Sequence, residues 1–204
     1  MKCPNVDSEA FVALGTHCTA LENLTLSDCP NVTDQALKAI ATHNKSICKL
    51  YVSGTTQITD EGIGALVLAR KDVMKRIALT EGVTDRSIRL VVENCPRLKW
   101  LDLFSSLLTD EGCHPIMQLR YIKGLTIHEH TKGNRPVPLP GFGQFNRFGP
   151  VVSLTMALTM IRALKASLKQ ILIDNMPEQT WSKREDAIRP AVKLAPPGVK
   201  VLHW

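Results

Sequence analysis

Four aspartates, Asp34, Asp60, Asp85 and Asp110, recur at intervals of 26, 25 and 25 residues. Carboxylates at regular spacing suit general acid or base work if the fold brings two of them to one cleft. Each of these, however, follows a threonine, in "NVTDQAL", "QITDEGI", "GVTDRSI" and "LLTDEGC". A Thr-Asp pair ahead of apolar residues three or four apart is a helix start. Its side-chain oxygens accept from the free N–H groups of the first turn, and the acid meets the positive end of the helix dipole. Helix capping accounts for all four aspartates, so none is assigned to catalysis. The six cysteines, Cys3, Cys18, Cys29, Cys48, Cys95 and Cys113, include no C-x-x-C pair. They are read as buried thiols acting as small hydrophobes rather than as zinc or redox groups. His128 and His130 would share one face of a strand, but no third ligand can be named, so no metal is expected. G-x-S-x-G, H-E-x-x-H and the Gly-Lys-Ser/Thr phosphate loop are absent. The chain is expected to be no enzyme, with no cofactor and no small-molecule substrate.

The elements that position these residues repeat as well. Ahead of each Thr-Asp turn stands a short strand pattern, "LENLTL", "ICKLYV", "MKRIAL" and "LKWLDL", and "IKGLTI" follows as a fifth. Their apolar pairs are Leu24 and Leu26, Leu50 and Val52, Ile77 and Leu79, Leu101 and Leu103, and Leu125 and Ile127. Each unit reads as strand, turn, helix. A unit this short cannot bury its apolar face alone, so neighbours must stack side by side.

The segment "LENLTLSDCPNVTDQALKAIATHNKS" resembles the cysteine-containing subtype of leucine-rich repeat. That subtype is known from F-box substrate receptors of ubiquitin ligases and from relatives without an F-box. Cys18 and Cys95 stand three residues before Leu21 and Leu98, and Cys29 fills the second cysteine position. The resemblance covers residues 3–127. Asn44 and Thr55 depart from it, each standing where a cysteine is expected. It implies an α/β solenoid, a horseshoe with a parallel sheet on the concave face and helices on the convex face. Residues 128–150, rich in Gly and Pro, are expected to form an inserted loop. Residues 151–204 are expected to continue the solenoid as divergent repeats: "VVSLTMALTMIRAL" has helical spacing, "LKQILI" and "GVKVLHW" read as strands, and "WSKREDAIRPAVKL" as a further helix broken at Pro190.

The formal net charge is +6, which suits an acidic partner without identifying it. Lys75, Lys99, Lys123 and Lys169 share one repeat position, so they are expected to stand in a row on the sheet, widened by Lys49 and Arg76. Tyr51, Ala78, Asp102 and Thr126 fall in the next outward column. Tyr51, Trp100 and Phe104 are expected to form one aromatic patch suited to anchoring a partner. In the loop, Arg135 and Arg147 interleave with Phe142, Phe145 and Phe148. Docking on a protein groove is the favoured reading there, with self-packing and RNA binding as alternatives.

No apolar run reaches the ~20 residues of a membrane span, and the N-terminus lacks a signal pattern. An intracellular, reducing compartment is expected, cytoplasmic or mitochondrial. The chain starts in mid-repeat and stops on a strand, which reads either as a piece of a longer protein or as ends covered by other subunits; a partner over at least one end is the expectation taken. These features point to a non-catalytic protein–protein interaction module, a scaffold or accessory subunit of a larger assembly. Short mitochondrial leucine-rich-repeat proteins of the ATP synthase coupling factor B kind are a similar class in size and repeat type. The alternatives are the substrate-recognition part of a ubiquitin-ligase receptor and an RNA-binding accessory protein using the lysine row.

Overall fold

A computed structural model describes residues 5–79, 81–103, 107–128, 154–164, 167, 170–174 and 200–203. Strands β1 (Asn23–Ser27), β2 (Lys49–Ser53), β3 (Arg76–Leu79), β4 (Trp100–Leu103), β5 (Gly124–His128), β6 (Gln170–Asp174) and β7 (Lys200–His203) form one sheet in chain order. Every pairing is parallel, and Ile77, Leu101 and Leu125 lie side by side on consecutive strands. Helices α1 (Ser8–His17), α2 (Asp34–His43), α3 (Asp60–Ala69), α4 (Asp85–Asn94) and α5 (Asp110–Cys113) alternate with the first five strands. Helix α6 (Leu154–Leu164) falls between β5 and β6. "WSKREDAIRPAVKL" and most of the 128–150 insertion lie outside the described residues.

Strand and helix pack through the apolar periodicity of each unit. Leu26, Leu50, Val52, Ile77, Leu79, Leu101 and Leu103 are buried. The helices answer with residues three and four apart, such as Ala36, Leu37 and Ile40, or Ile88, Val91 and Val92. Each fully buried Leu or Ile contributes about 1.5–3 kcal/mol against exposure. The α6 residues Met156, Met160 and Leu164, four apart, join the same core. Helix α5 lasts one turn and passes into a 3-10 turn, His114–Gln118. Pro115 has no N–H to give the Glu111 carbonyl, which accepts from the His114 N–H instead.

The aspartates do something other than the expected capping. The N-caps are threonines: Thr59, Thr84 and Thr109 accept from N–H groups of their own helices. Each aspartate is the first helical residue, and the carboxylates of Asp34, Asp60 and Asp85 reach the next unit. Asp34 accepts from the Thr59 N–H at 2.8 Å and its hydroxyl at 2.6 Å. Asp60 accepts from the Thr84 N–H at 2.9 Å and its hydroxyl at 2.6 Å. Asp85 accepts from the Thr109 N–H at 2.8 Å and its hydroxyl at 2.6 Å. The threonine caps its helix and the aspartate ties that cap to the preceding helix. The third helical residue must then be small: a methyl on Gly62 or Gly112 would overlap the Asp34 or Asp85 carboxylate. At the matching place in α4, Ser87 donates to Asp60 at 2.6 Å.

The ladder fails at its first step. Ser8 stands where the aspartate would be, and the buried Thr33 hydroxyl has no partner among the described residues. Ser8→Asp combined with Ala36→Ser is expected to supply the missing acceptor and raise stability by about 1 kcal/mol. A urea titration reads this directly, and no change in midpoint would count against the ladder.

The departures from the cysteine pattern also have physical accounts. Asn44 is buried and replaces a thiol by hydrogen bonds. Its amide donates to the Cys18 carbonyl at 2.9 Å, and its oxygen accepts from the Ser46 and Ile47 N–H groups at 2.9 Å each. Cys29, Cys48, Cys95 and Cys113 are buried, as the repeat predicts, whereas Cys18 is exposed. Burial pushes the Cys95 thiol up to about 12, aided by Asp72. It does the same at Cys113, with help from Asp85 and Asp110. Both therefore stay protonated and unreactive. Residue-resolved maleimide labelling of the folded chain is expected to modify Cys18 promptly. Cys95 and Cys113 should react only in urea, at the rate of unfolding. Prompt labelling of either would contradict the described core.

Candidate functional site

The start of each strand builds a regular edge. The Cys48 carbonyl accepts from both the Lys75 and Arg76 N–H groups, the Lys75 carbonyl from Lys99 and Trp100, and the Lys99 carbonyl from Lys123 and Gly124. This shared-acceptor ladder holds Lys75, Lys99 and Lys123 in line. The strands begin one residue later, at Arg76, Trp100 and Gly124. The lysines therefore stand on the strand-start edge rather than within the sheet face where the sequence placed them. Lys75 and Lys123 are exposed and Lys99 is half-buried. None of the three has an ion-pair partner among the described residues. Lys169 lies outside the described residues.

Beside this edge, on the sheet face, register pairs Lys49 with Arg76 and Arg76 with Trp100. The Arg76 guanidinium lies 5.9 Å from the centre of the Tyr51 ring and 5.7 Å from a Trp100 ring centre. Its Nε donates to Asp102 Oδ2 at 2.9 Å. Trp100 in turn lies over Gly124, where a methyl would overlap the indole. Tyr51, Arg76 and Trp100 thus form one stack with a carboxylate behind it. Tyr51 and Trp100 are brought together through the arginine and not as a bare aromatic patch. Phe104 is outside the described residues, and so are Arg135, Phe142, Phe145, Arg147 and Phe148.

Asp102 and Ala78 need a correction. Both were expected on an outward, open column, yet Asp102 is 2% exposed and Ala78 fully buried. For Asp102 the cause is the ion pair with Arg76, which draws a long side chain over the carboxylate. Register carried a signal for it. Ala78 faces Asp102 across the strands, so Arg76, two residues before Ala78, is its diagonal neighbour on the same face.

West of that stack, in the β1–β3 part of the face, Asn23, Thr25, Lys49, Tyr51 and Arg76 line a depression of about 490 Å³. Two exposed apolar residues that the sequence does not single out precede lysines of the row in the chain. Val73 and Tyr121, each two residues before a row lysine, are 43% and 61% exposed. No group of three or more potential metal ligands occurs among the described residues. No described helix is long and apolar enough to cross a membrane.

No family model matches the chain, and no curated protein matches it. Among solved structures the chain is similar to leiomodin-1 actin-binding site 2, with 18% identity and a TM-score of 0.44 over 58% of this chain and 72% of that one.

Proposed function

We propose that this chain is a non-catalytic interaction module of the leucine-rich-repeat type, its sheet forming the concave and its helices the convex side of a horseshoe. It serves as a scaffold or accessory subunit of a larger assembly, and a mitochondrial complex is the setting that size and repeat type favour. The observation that carries the reading is the line of Lys75, Lys99 and Lys123, fixed by backbone hydrogen bonds and without ion-pair partners among the described residues. Backbones about 4.8 Å apart gather three like charges at one edge, where they repel one another. A bound acidic surface turns that repulsion into attraction.

The test is the mass at which the tagged chain travels in a fractionated cell extract. A co-eluting set of specific proteins, far above the 22.6 kDa of the chain, is the expected result. Elution at monomer mass, with no protein retained at physiological salt, would reject the module reading.

A further inference from the structure

The geometry of the strand-start edge points to a particular partner: we infer that Lys75, Lys99 and Lys123 receive an acidic α-helix of another protein, laid across β3, β4 and β5. This rests on the interaction-module reading and adds to it the shape and chemistry of the partner. The lysines immediately precede successive parallel strands and are joined by the same backbone hydrogen bonds, so their backbones step by ~4.8 Å and span about 9.6 Å. Side chains on one face of a helix, at i, i+3 or i+4, and i+7, step by about 5–6 Å and span roughly 10.5 Å. Three carboxylates at those positions therefore meet the three lysines in sequence. An extended acidic strand fits less well, because its same-face side chains step by ~6.8 Å, two residues at a time.

Charge and exposure along the edge agree with this partner. Arg97 and Arg120, two and three residues before Lys99 and Lys123 in the chain, are exposed, and neither has an ion-pair partner among the described residues. Val73 and Tyr121, each two residues before an end lysine of the row, are exposed and available for apolar contact with a helix. Nucleic acid is the weaker fit. Binding a single strand relies on aromatic faces open for base stacking. Here the Trp100 ring lies between Arg76 and Gly124, and Tyr51 is stacked on Arg76.

The experiment uses the full chain and three fluorescein-labelled probes. One is a helical peptide carrying Glu at i, i+4 and i+7 on one face. The second has the same composition with the stripe scrambled, and the third is an oligo-uridine of equal charge. Fluorescence anisotropy is expected to show the striped peptide binding at least tenfold more tightly than the scrambled one. K75E/K99E/K123E should reduce that preference to within twofold, while Arg89→Glu, an exposed change on α4, should preserve it. Circular dichroism of each variant checks that it is folded.

Equal affinity for striped and scrambled peptides would overturn the proposal in favour of unspecific polyanion attraction. Tighter binding of oligo-uridine than of the striped peptide would replace it with the nucleic-acid reading. A preference surviving in K75E/K99E/K123E would place the helix elsewhere on the chain. Each of these outcomes is separate from the extract fractionation. A chain that travels in a complex but ignores the stripe keeps the module reading and loses this one.

Discussion

Arg76→Ala is expected to lower the free energy of unfolding by about 3 kcal/mol, the low end of the range for removing one partner of a buried ion pair. The Asp102 side chain is only 3% exposed and would lose its counter-ion, whereas Arg76 itself is 39% exposed. The same change removes the guanidinium from between Tyr51 and Trp100, at about 0.5–1 kcal/mol for each ring. Arg76→Ala with Asp102→Ala should recover much of the loss, because no charge is then stranded. Arg76→Lys should fall between, since an ammonium keeps the charge but cannot stack as a flat guanidinium does. Urea unfolding midpoints of the three variants check this. If the double variant is no more stable than Arg76→Ala, the ion pair is not what holds the stack.

The second large effect belongs to Asp60. Asp60→Ala is expected to cost about 2–3 kcal/mol, because the Thr84 N–H, the Thr84 hydroxyl and the Ser87 hydroxyl all donate to its carboxylate. Asp85→Ala should cost less, since the Gly112 that replaces serine in the next helix brings no hydroxyl. The carboxylate also gives the fold a pH dependence of known sign. Burial pushes Asp60 upward, but hydrogen bonds from Ser87 and Thr84 outweigh it and hold the group below the usual carboxylate range. A carboxyl lowered in the folded state contributes its stability in full above its unfolded value of about 3.9. That contribution is lost as pH falls through the lowered folded value. Unfolding midpoints measured down to pH 2 should therefore fall more steeply for the wild type than for Asp60→Ala. Parallel curves would show that this carboxylate is not coupled to folding.

Much of the fold is legible from the spacing alone. Apolar residues two apart on the strands and three or four apart on the helices define which faces are buried, and the interval of 24 to 27 residues between paired strand positions sets which strands are neighbours. Leu50, Ile77, Leu101 and Leu125 follow directly from that logic. Contacts between units were harder to read. A Thr-Asp pair looks like a local cap, and only the superposition of one unit on the next shows the aspartate facing a threonine 24 or 25 residues on. The small residue at Gly62, Ser87 and Gly112 is the sequence trace of that contact. At the candidate surface, the lysine row followed from repeat position, but its place one residue before the strands depended on where the ladder of N–H donors begins. The Arg76–Asp102 pair was missed because each residue was assigned to a column separately, while the ion pair runs diagonally between columns.

The aspartate–threonine junction has a consequence for how such a chain can change length. Excising Thr59 to Val83, so that Asp34 meets Thr84, would regenerate the same carboxylate-to-hydroxyl contact that was lost. Duplicating a unit would create one more copy of it. Each seam is chemically interchangeable with its neighbours, so gain or loss of a whole unit leaves no donor stranded. A cut out of phase would separate the carboxylate before it from the threonine after it, while seams wholly downstream keep their spacing.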